Sequence, residues 1–315
     1  MYLQYFGLLQ QPFNLTPDTE LLFQSASFQR AYNEAMLAIA SGEGFIKITG
    51  EVGTGKSLLC RTLLNSLQKI GFATAFIHNP LLTPRETYEL LADELGIELG
   101  GREGMPFHVK EITKKLLSLA AEGKPAVLLI DEAHCLPDAT LEAIRLMTNL
   151  ETEKSKILQV VLIGQTELDY RLQTQSNLRP LRHRITFSCM LQPITAKEVP
   201  RYLAHRLTAA GYTGKKTIFT DAVCRKLYRH SDGNPRVLNI LAHKTLWLAF
   251  GKKQVTVTPA LVELAVKDTE DGALLTNAHQ EMGGWQRVEW ILRMLLWFLV
   301  GGAMMGVTLL HFYSL

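Results

Sequence analysis

Residues 45–57 read Phe45-Ile46-Lys47-Ile48-Thr49-Gly50-Glu51-Val52-Gly53-Thr54-Gly55-Lys56-Ser57. The first five residues are β-rich, and the last eight fit Gly-x-x-x-x-Gly-Lys-Ser. Leu58, Leu59, Leu63, Leu64 and Leu67 then recur at the spacing of a helix face. Strand, glycine loop and helix in that order have a physical use. The glycines let backbone N–H groups curl around phosphate oxygens with no Cβ in the way, and the helix N-terminus adds its dipole. Gly50, Glu51, Val52, Gly53, Thr54 and Gly55 are therefore expected to cradle the phosphates of a nucleotide. Lys56 would reach the β- and γ-phosphates, and the Ser57 hydroxyl would bind Mg²⁺.

Further along, Ala126-Val127-Leu128-Leu129-Ile130 is a continuous apolar run, the pattern of a strand buried on both faces. It ends in Asp131-Glu132-Ala133-His134. Carboxylates at the C-terminal edge of an open parallel sheet face the ligand crevice. Asp131 is the second expected metal residue, holding the Mg²⁺ water shell. Glu132 is expected to orient and deprotonate an attacking water, which points to hydrolysis rather than a nucleotide-binding switch. His134 and Cys135 are assigned no chemistry. A third strand, Gln159–Ile163, leads into Gly164-Gln165-Thr166-Glu167-Leu168. Gln165 at its tip is the candidate for touching the γ-phosphate or the lytic water, with Thr166 second. Next, Arg179, Arg182 and Arg184 fall within six residues, ahead of the apolar stretch 187–191. A planar, permanently charged guanidinium suits an arginine donated to a neighbouring subunit's γ-phosphate. Arg182 and Arg184 are equal candidates.

Beyond Pro193 the pattern turns helical. Thr195-Ala196-Lys197-Glu198 reads as a capping box opening a helix to about Ala210. Thr220-Asp221 predicts a second helix to His230, and Thr258-Pro259 a last one to about Val266. Between them, Ser231-Asp232-Gly233-Asn234-Pro235 is a turn, after which Arg236 opens another helix, from which it could reach back to the phosphates. The expected organisation is an N-terminal segment (1–29) packing on the core, an α/β core (30–191), a small helical lid (192–270), a linker (271–290) and a membrane span (291–312). Residues 294–310 contain no charge. As a helix, the 22 residues 291–312 would extend roughly 33 Å, enough to cross a bilayer's hydrocarbon. Arg287 and Arg293 precede the span and no Lys or Arg follows it, which keeps the N-terminal part in the cytoplasm.

Composition excludes several classes. Of 315 residues, 47% are hydrophobic, enough for a filled core, and 23 Gly with 12 Pro rule out collagen-like and low-complexity chains. A net charge of +3 is too small to argue for nucleic acid by itself. Four singly scattered cysteines have neither zinc-ligand spacing nor the density of a disulfide framework. Met1–Phe6 lacks the basic cluster and long apolar run of a secretory signal.

Taken together, the phosphate loop, Asp131-Glu132, the polar strand tip, the arginine group and Gly233-Asn234-Pro235-Arg236 resemble the AAA+ ATPases, in that family's order, over about residues 30–270. The opening Tyr5-Phe6-Gly7-Leu8, Pro12-Phe13, Thr16-Pro17-Asp18, the Asp131-Glu132-Ala133-His134 edge and Gly164-Gln165-Thr166-Glu167-Leu168 are similar to the ExeA/GspA-type general-secretion branch. Within it, the resemblance is nearest to members that serve the MSHA type IV pilus. Members of the ExeA type continue beyond their membrane span into a periplasmic part, whereas this sequence stops at Leu315. The resemblance implies a P-loop parallel sheet of five strands ordered 5-1-4-3-2, sandwiched by helices, with a helical lid. It implies Gln165 as the sensor on the fourth strand, Arg182 or Arg184 as the finger, and Arg236 as the lid sensor. It also implies ATP and Mg²⁺ as ligands, a homo-oligomer, and pilus or secretion assembly proteins at the inner membrane as partners. Two other readings carry different expectations. A DNA-handling ATPase of the transposition-helper type would use Lys215, Lys216, Arg225, Lys226 and Arg229 against phosphates, and a nonhydrolytic scaffold would bind ATP without turnover. A nucleic-acid partner is not expected, because no basic DNA-binding domain is evident.

Overall fold

The computed structural model describes residues 2–16, 19, 21–78, 81–99, 104–149 and 156–269. The predicted membrane span, its linker, and Pro17 and Asp18 lie outside them. Among the described residues, no helix is long and apolar enough to cross a membrane. In chain order the elements are α1 (Tyr2–Phe6), α2 (Ala26–Ala40), β1 (Phe45–Gly50), α3 (Lys56–Lys69), β2 (Ala73–Ile77), α4 (Pro84–Glu94), α5 (Met105–Ala121), β3 (Ala126–Ile130) and α6 (Asp138–Met147). There follow β4 (Leu158–Gly164), α7 (Thr166–Thr174), α8 (Arg179–Arg182), β5 (Ile185–Leu191), α9 (Val199–Ala209), α10 (Asp221–Ser231), α11 (Pro235–Gly251) and α12 (Pro259–Lys267).

The five strands pair in parallel in the order β2-β3-β4-β1-β5. Every residue of β3 and β4 is buried, because helices cover both faces of the sheet. One apolar cluster joins alternate strand residues such as Leu128, Ile130 and Leu162 to α4, α5 and α6. The residues between them, Val127, Leu129 and Val161, join β1's Ile46 and Ile48 in packing against α2 and α3. This topology places the site. The C-terminal ends of all five strands share one edge, and β4 stands between β1 and β3. Gln165, which follows β4, therefore lies between the phosphate loop after β1 and the acids after β3.

Helices α9–α12 form a separate bundle around Val199, Leu203, Leu227, Leu238, Leu246 and Leu261, all almost fully buried. Two expectations are corrected here. The helix expected from the box at Thr195 begins at Val199. Glu198 spends its carboxylate on the Thr195 N–H (3.0 Å), the Thr195 hydroxyl (2.6 Å) and the distant Ala26 N–H (2.8 Å). One oxygen makes the local bond to Thr195 and the other ties in the distant chain, and Pro200 falls in the first helical turn, where its missing N–H costs nothing. The second concerns the N-terminal segment, expected on the α/β core: Leu22 and Phe28 do pack in the core cluster, whereas Tyr2, Phe6, Leu8 and Phe13 are buried in the lid cluster. α1 lies on α11, with Tyr2 edge-on to His243 at 5.7 Å and Phe13 edge-on to Phe219 at 5.7 Å. The reason is supply of apolar surface: four short helices leave a face uncovered, and these aromatics fill it. Thr220 precedes α10, but its side chain makes no cap bond.

Candidate active site

Gly53 and Gly55 adopt φ values of +82° and +100°, where a β-carbon is strained, so the loop can curl only with glycine there. α3 starts at Lys56. The Lys56 ammonium is buried and donates to Gly50 O and Glu51 O, both at 2.9 Å. Burial pushes its pKa down, while the carboxylates of Glu132, Asp131 and Glu51 push the other way. An ammonium held among main-chain oxygens and facing three acids is poised for a larger anion.

Asp131 is 1% exposed and accepts the Glu132 N–H at 2.9 Å. Glu132 itself sits in the left-handed region, φ +52°, a conformation non-glycine residues adopt seldom and mostly where the surroundings impose it. The imposition is visible. Arg171 of α7 donates to the carbonyls of His134 and Leu136 (2.8 Å to Leu136) and to the Asp138 carboxylate. This guanidinium pins the turn that follows Glu132. His134, left without a role by its sequence context, accepts the Gln165 N–H at 3.3 Å through Nδ1, which lies 3.4 Å from Glu132 Oε2. That carboxylate oxygen is buried and makes no hydrogen bond among the described residues. An acceptor of that kind calls for a donor or a cation.

These elements surround one cavity of about 390 Å³, within the span of small-molecule sites. Its walls include Gly53, Thr54, Gly55, Lys56 and Ser57 of the loop, with Glu132, Gln165 and Arg236. Asp131 stands behind Glu132 and contributes no wall. Gly50 and Glu51 lie at the foot of the loop. Glu51 Oε1 accepts from the Thr166 hydroxyl at 3.4 Å, so Thr166 touches the loop and Gln165 the cavity. Arg182 and Arg184 are elsewhere. They precede β5, whose first residue pairs with Phe45 at the start of β1, the sheet edge opposite the loop. Arg184 donates to Thr148 Oγ1 at 3.3 Å, while Arg182 is exposed.

Sequence reasoning missed half of the cavity wall. Asn14, Leu15, Leu21, Phe23 and Phe28 form one side, and Tyr202, Arg206 and Asn239 of the lid form another. Arg206, buried, donates to Pro12 O (2.6 Å), Asn14 O (3.1 Å) and Leu21 O (3.3 Å), strapping the N-terminal segment across the opening. Tyr202 packs edge-on against Phe23 at 5.5 Å and donates to Asn239 Oδ1 at 2.6 Å. The Pro12-Phe13 and Thr16 positions hinted at a fixed segment, but nothing local told where it docks.

Comparison with known proteins agrees with this geometry. A model described as "AAA domain" matches residues 39–172. The chain is 36% identical over 286 residues to the general secretion pathway protein A of Aeromonas hydrophila, taking in 91% of this chain and 50% of that protein. It thus spans about half the length of this curated relative. Among solved structures, Cdc6p from Pyrobaculum aerophilum is similar with a TM-score of 0.63 and 14% identity, covering 83% of this chain and 71% of that one. The Aeropyrum pernix ORC2 protein, solved in ADPNP–ADP complexes, has a TM-score of 0.57 and 16% identity, covering 82% and 72%. These two share the fold. Residues 39–172 thus match an AAA-domain model, within a chain similar over most of its length to a general secretion pathway protein A.

Proposed function

We propose that this chain hydrolyses Mg·ATP between its core and its lid, as a membrane-tethered ATPase serving the assembly of a secretion or MSHA-like type IV pilus machinery. The observation that carries the chemistry is convergence: Lys56, Glu132, Gln165 and Arg236, from four separate elements, border one cavity. The phosphates lie along residues 50–57, with Lys56 neutralising the β- and γ-oxygens. The base and ribose face Leu15, Phe23 and Tyr202. Ser57, in the cavity wall, would hold Mg²⁺ and Asp131, set behind the wall, would hold its water shell; the unpartnered Glu132 Oε2 fits a nearby cation, and this ion takes few protein ligands, leaving the rest to water and phosphate. When bound, it neutralises charge on the phosphate oxygens.

Hydrolysis is transfer of the γ-phosphoryl group to water, a reaction in which positioning and charge stabilisation supply most of the rate. Glu132 accepts the water's proton, Gln165 orients the γ-phosphate or the water, and Arg236 adds positive charge from the lid. Arg182 or Arg184 completes the site of a neighbouring subunit. Both stand at the sheet edge away from their own cavity, which supports a homo-oligomeric arrangement in which they face a neighbour's site.

The partner reading rests on likeness to general secretion pathway protein A, and membrane tethering on the uncharged run 294–310 with arginines only before it. In the lid's basic cluster, Lys226 is paired with Glu263 at 2.6 Å, which removes one of the five charges a nucleic acid would meet. The test is Glu132→Gln in the full chain. ATP binding should persist while turnover falls at least about a hundredfold, and the trapped form should enrich an assembly partner from the membrane fraction. Wild-type turnover by this variant would refute the assignment.

A further inference from the structure

The turn that carries Arg236 grips the phosphate loop from outside. Asn234 Nδ2 donates to Val52 O at 2.6 Å. The Arg236 N–H is shared between Asn234 Oδ1 at 3.0 Å and Gly53 O at 3.3 Å. Asn234 Oδ1 also accepts the Val237 N–H at 3.4 Å and so caps α11. One amide thus uses its oxygen on the lid helix and its nitrogen on the loop. Its orientation is fixed by chemistry, because a carbonyl faces the nitrogen and two N–H groups face the oxygen.

The fit is close. A Cβ on Gly53 would stand 2.6 Å from Asn234 Oδ1 and 2.7 Å from Arg236 Cβ. The same turn holds the connection between core and lid, where the Ile194 N–H donates to Gly233 O at 2.9 Å. A peptide unit is planar and trans, so a hand on Val52 O also sets the direction of the Gly53 N–H, which points the opposite way. The phosphate-binding main chain and the lid are therefore joined by the Asn234 side chain at Val52 O and, more weakly, by the Arg236 N–H at Gly53 O.

We propose that Asn234 is a latch that couples the geometry of the phosphate loop to the angle of the lid. A phosphate that reorients the Gly53 N–H moves Val52 O, and α11 follows. Conversely, the lid holds the loop in its curled form and slows release of nucleotide. Asn234 is a positioning residue and touches no reacting atom. The latch rests on the nucleotide reading of the cavity.

The test uses the full chain and a fluorescent ATP analogue, with release followed by stopped flow. Serine caps a helix nearly as well as asparagine but is too short to reach Val52. Asn234→Ser should keep the thermal midpoint of the wild type yet release the analogue about five- to tenfold faster, the worth of one neutral hydrogen bond. Hydrogen exchange at residues 50–55 should rise in the same variant without nucleotide. Asn234→Asp, which keeps the cap and lacks the donor, should release as fast as the serine variant or faster. Asn234→Ala should lose thermal stability as well. Wild-type release and exchange in Asn234→Ser would overturn the latch, and so would an effect seen only where the thermal midpoint falls. Failure of the wild type to bind the analogue would instead overturn the nucleotide reading, and the latch's role with it.

Discussion

His134 Nδ1 stands 3.4 Å from the Glu132 carboxylate while accepting the main-chain N–H of Gln165 at 3.3 Å. The same ring nitrogen therefore lies against both groups, and Glu132 Oε2 makes no hydrogen bond among the described residues. The two groups expected to handle the lytic water thus both adjoin one ring. His134→Ala should lower kcat about tenfold and leave the affinity for ATP within about twofold, the signature of an interaction that matters in the transition state. His134→Asn, whose amide oxygen can replace Nδ1 as acceptor, should recover most of the loss. Steady-state ATPase kinetics on the three proteins check this.

Arg206 gives a stability prediction. Its buried guanidinium serves three carbonyls of the N-terminal strap, at Pro12, Asn14 and Leu21. Arg206→Met keeps the apolar stem and strands those acceptors. The expected cost is about 3 kcal/mol, from charge-assisted hydrogen bonds lost inside the protein. Thermal unfolding should report it, and limited proteolysis should cut first between residues 9 and 21.

Glu198 gives the pH dependence. Burial opposes its charge, yet the N–H groups of Ala26 and Thr195 and the Thr195 hydroxyl hold its pKa below the ordinary glutamate value of 4.5. A carboxyl lowered on folding contributes stability that is complete above the unfolded value and is lost as pH falls through the folded one. Stability should therefore drop on acidification below about 4.5, the unfolded value. In Glu198→Gln that part of the profile should flatten. Urea titrations across pH 3–6 would show whether the slope changes.

The arginine pair calls for a mixing experiment. Arg182→Ala, with its intact cavity, and Lys56→Ala, with its intact arginine, should each fall at least about a hundredfold in turnover. Mixed, they should recover activity, because a working cavity then meets a working arginine across the subunit boundary. Additive inactivity of the mixture would remove the finger from Arg182. Arg184→Ala, tested alongside, should be milder, since that side chain is engaged with Thr148.

What could be read from the chain was what is local. The phosphate loop and the acid pair each occupy consecutive residues next to a strand, and their chemistry is written in their order. β2 was legible only through resemblance. It is a five-residue edge strand with three half-buried positions, too short and too mixed to show a period. The strap's place on the lid depends on contacts nearly two hundred residues apart, such as Pro12 with Arg206, which no periodicity records. Glu198 misled for a related reason. Its spacing from Thr195 suits a local bond, which it makes with one oxygen, but the other takes a distant N–H at Ala26 and the helix starts only at Val199.

The strap has a mechanical consequence. The backbone crosses between the two bodies twice, once near Phe23–Ala26 and once at 192–198. The crossings are stitched together by Glu198 with Ala26 and by the Gln192 N–H with the Ser27 hydroxyl at 2.8 Å. An object hung from one thread can swing in any direction, whereas one hung from two neighbouring threads swings like a door. Any change of angle between the bundle and the core is thereby confined to a single arc about that paired crossing.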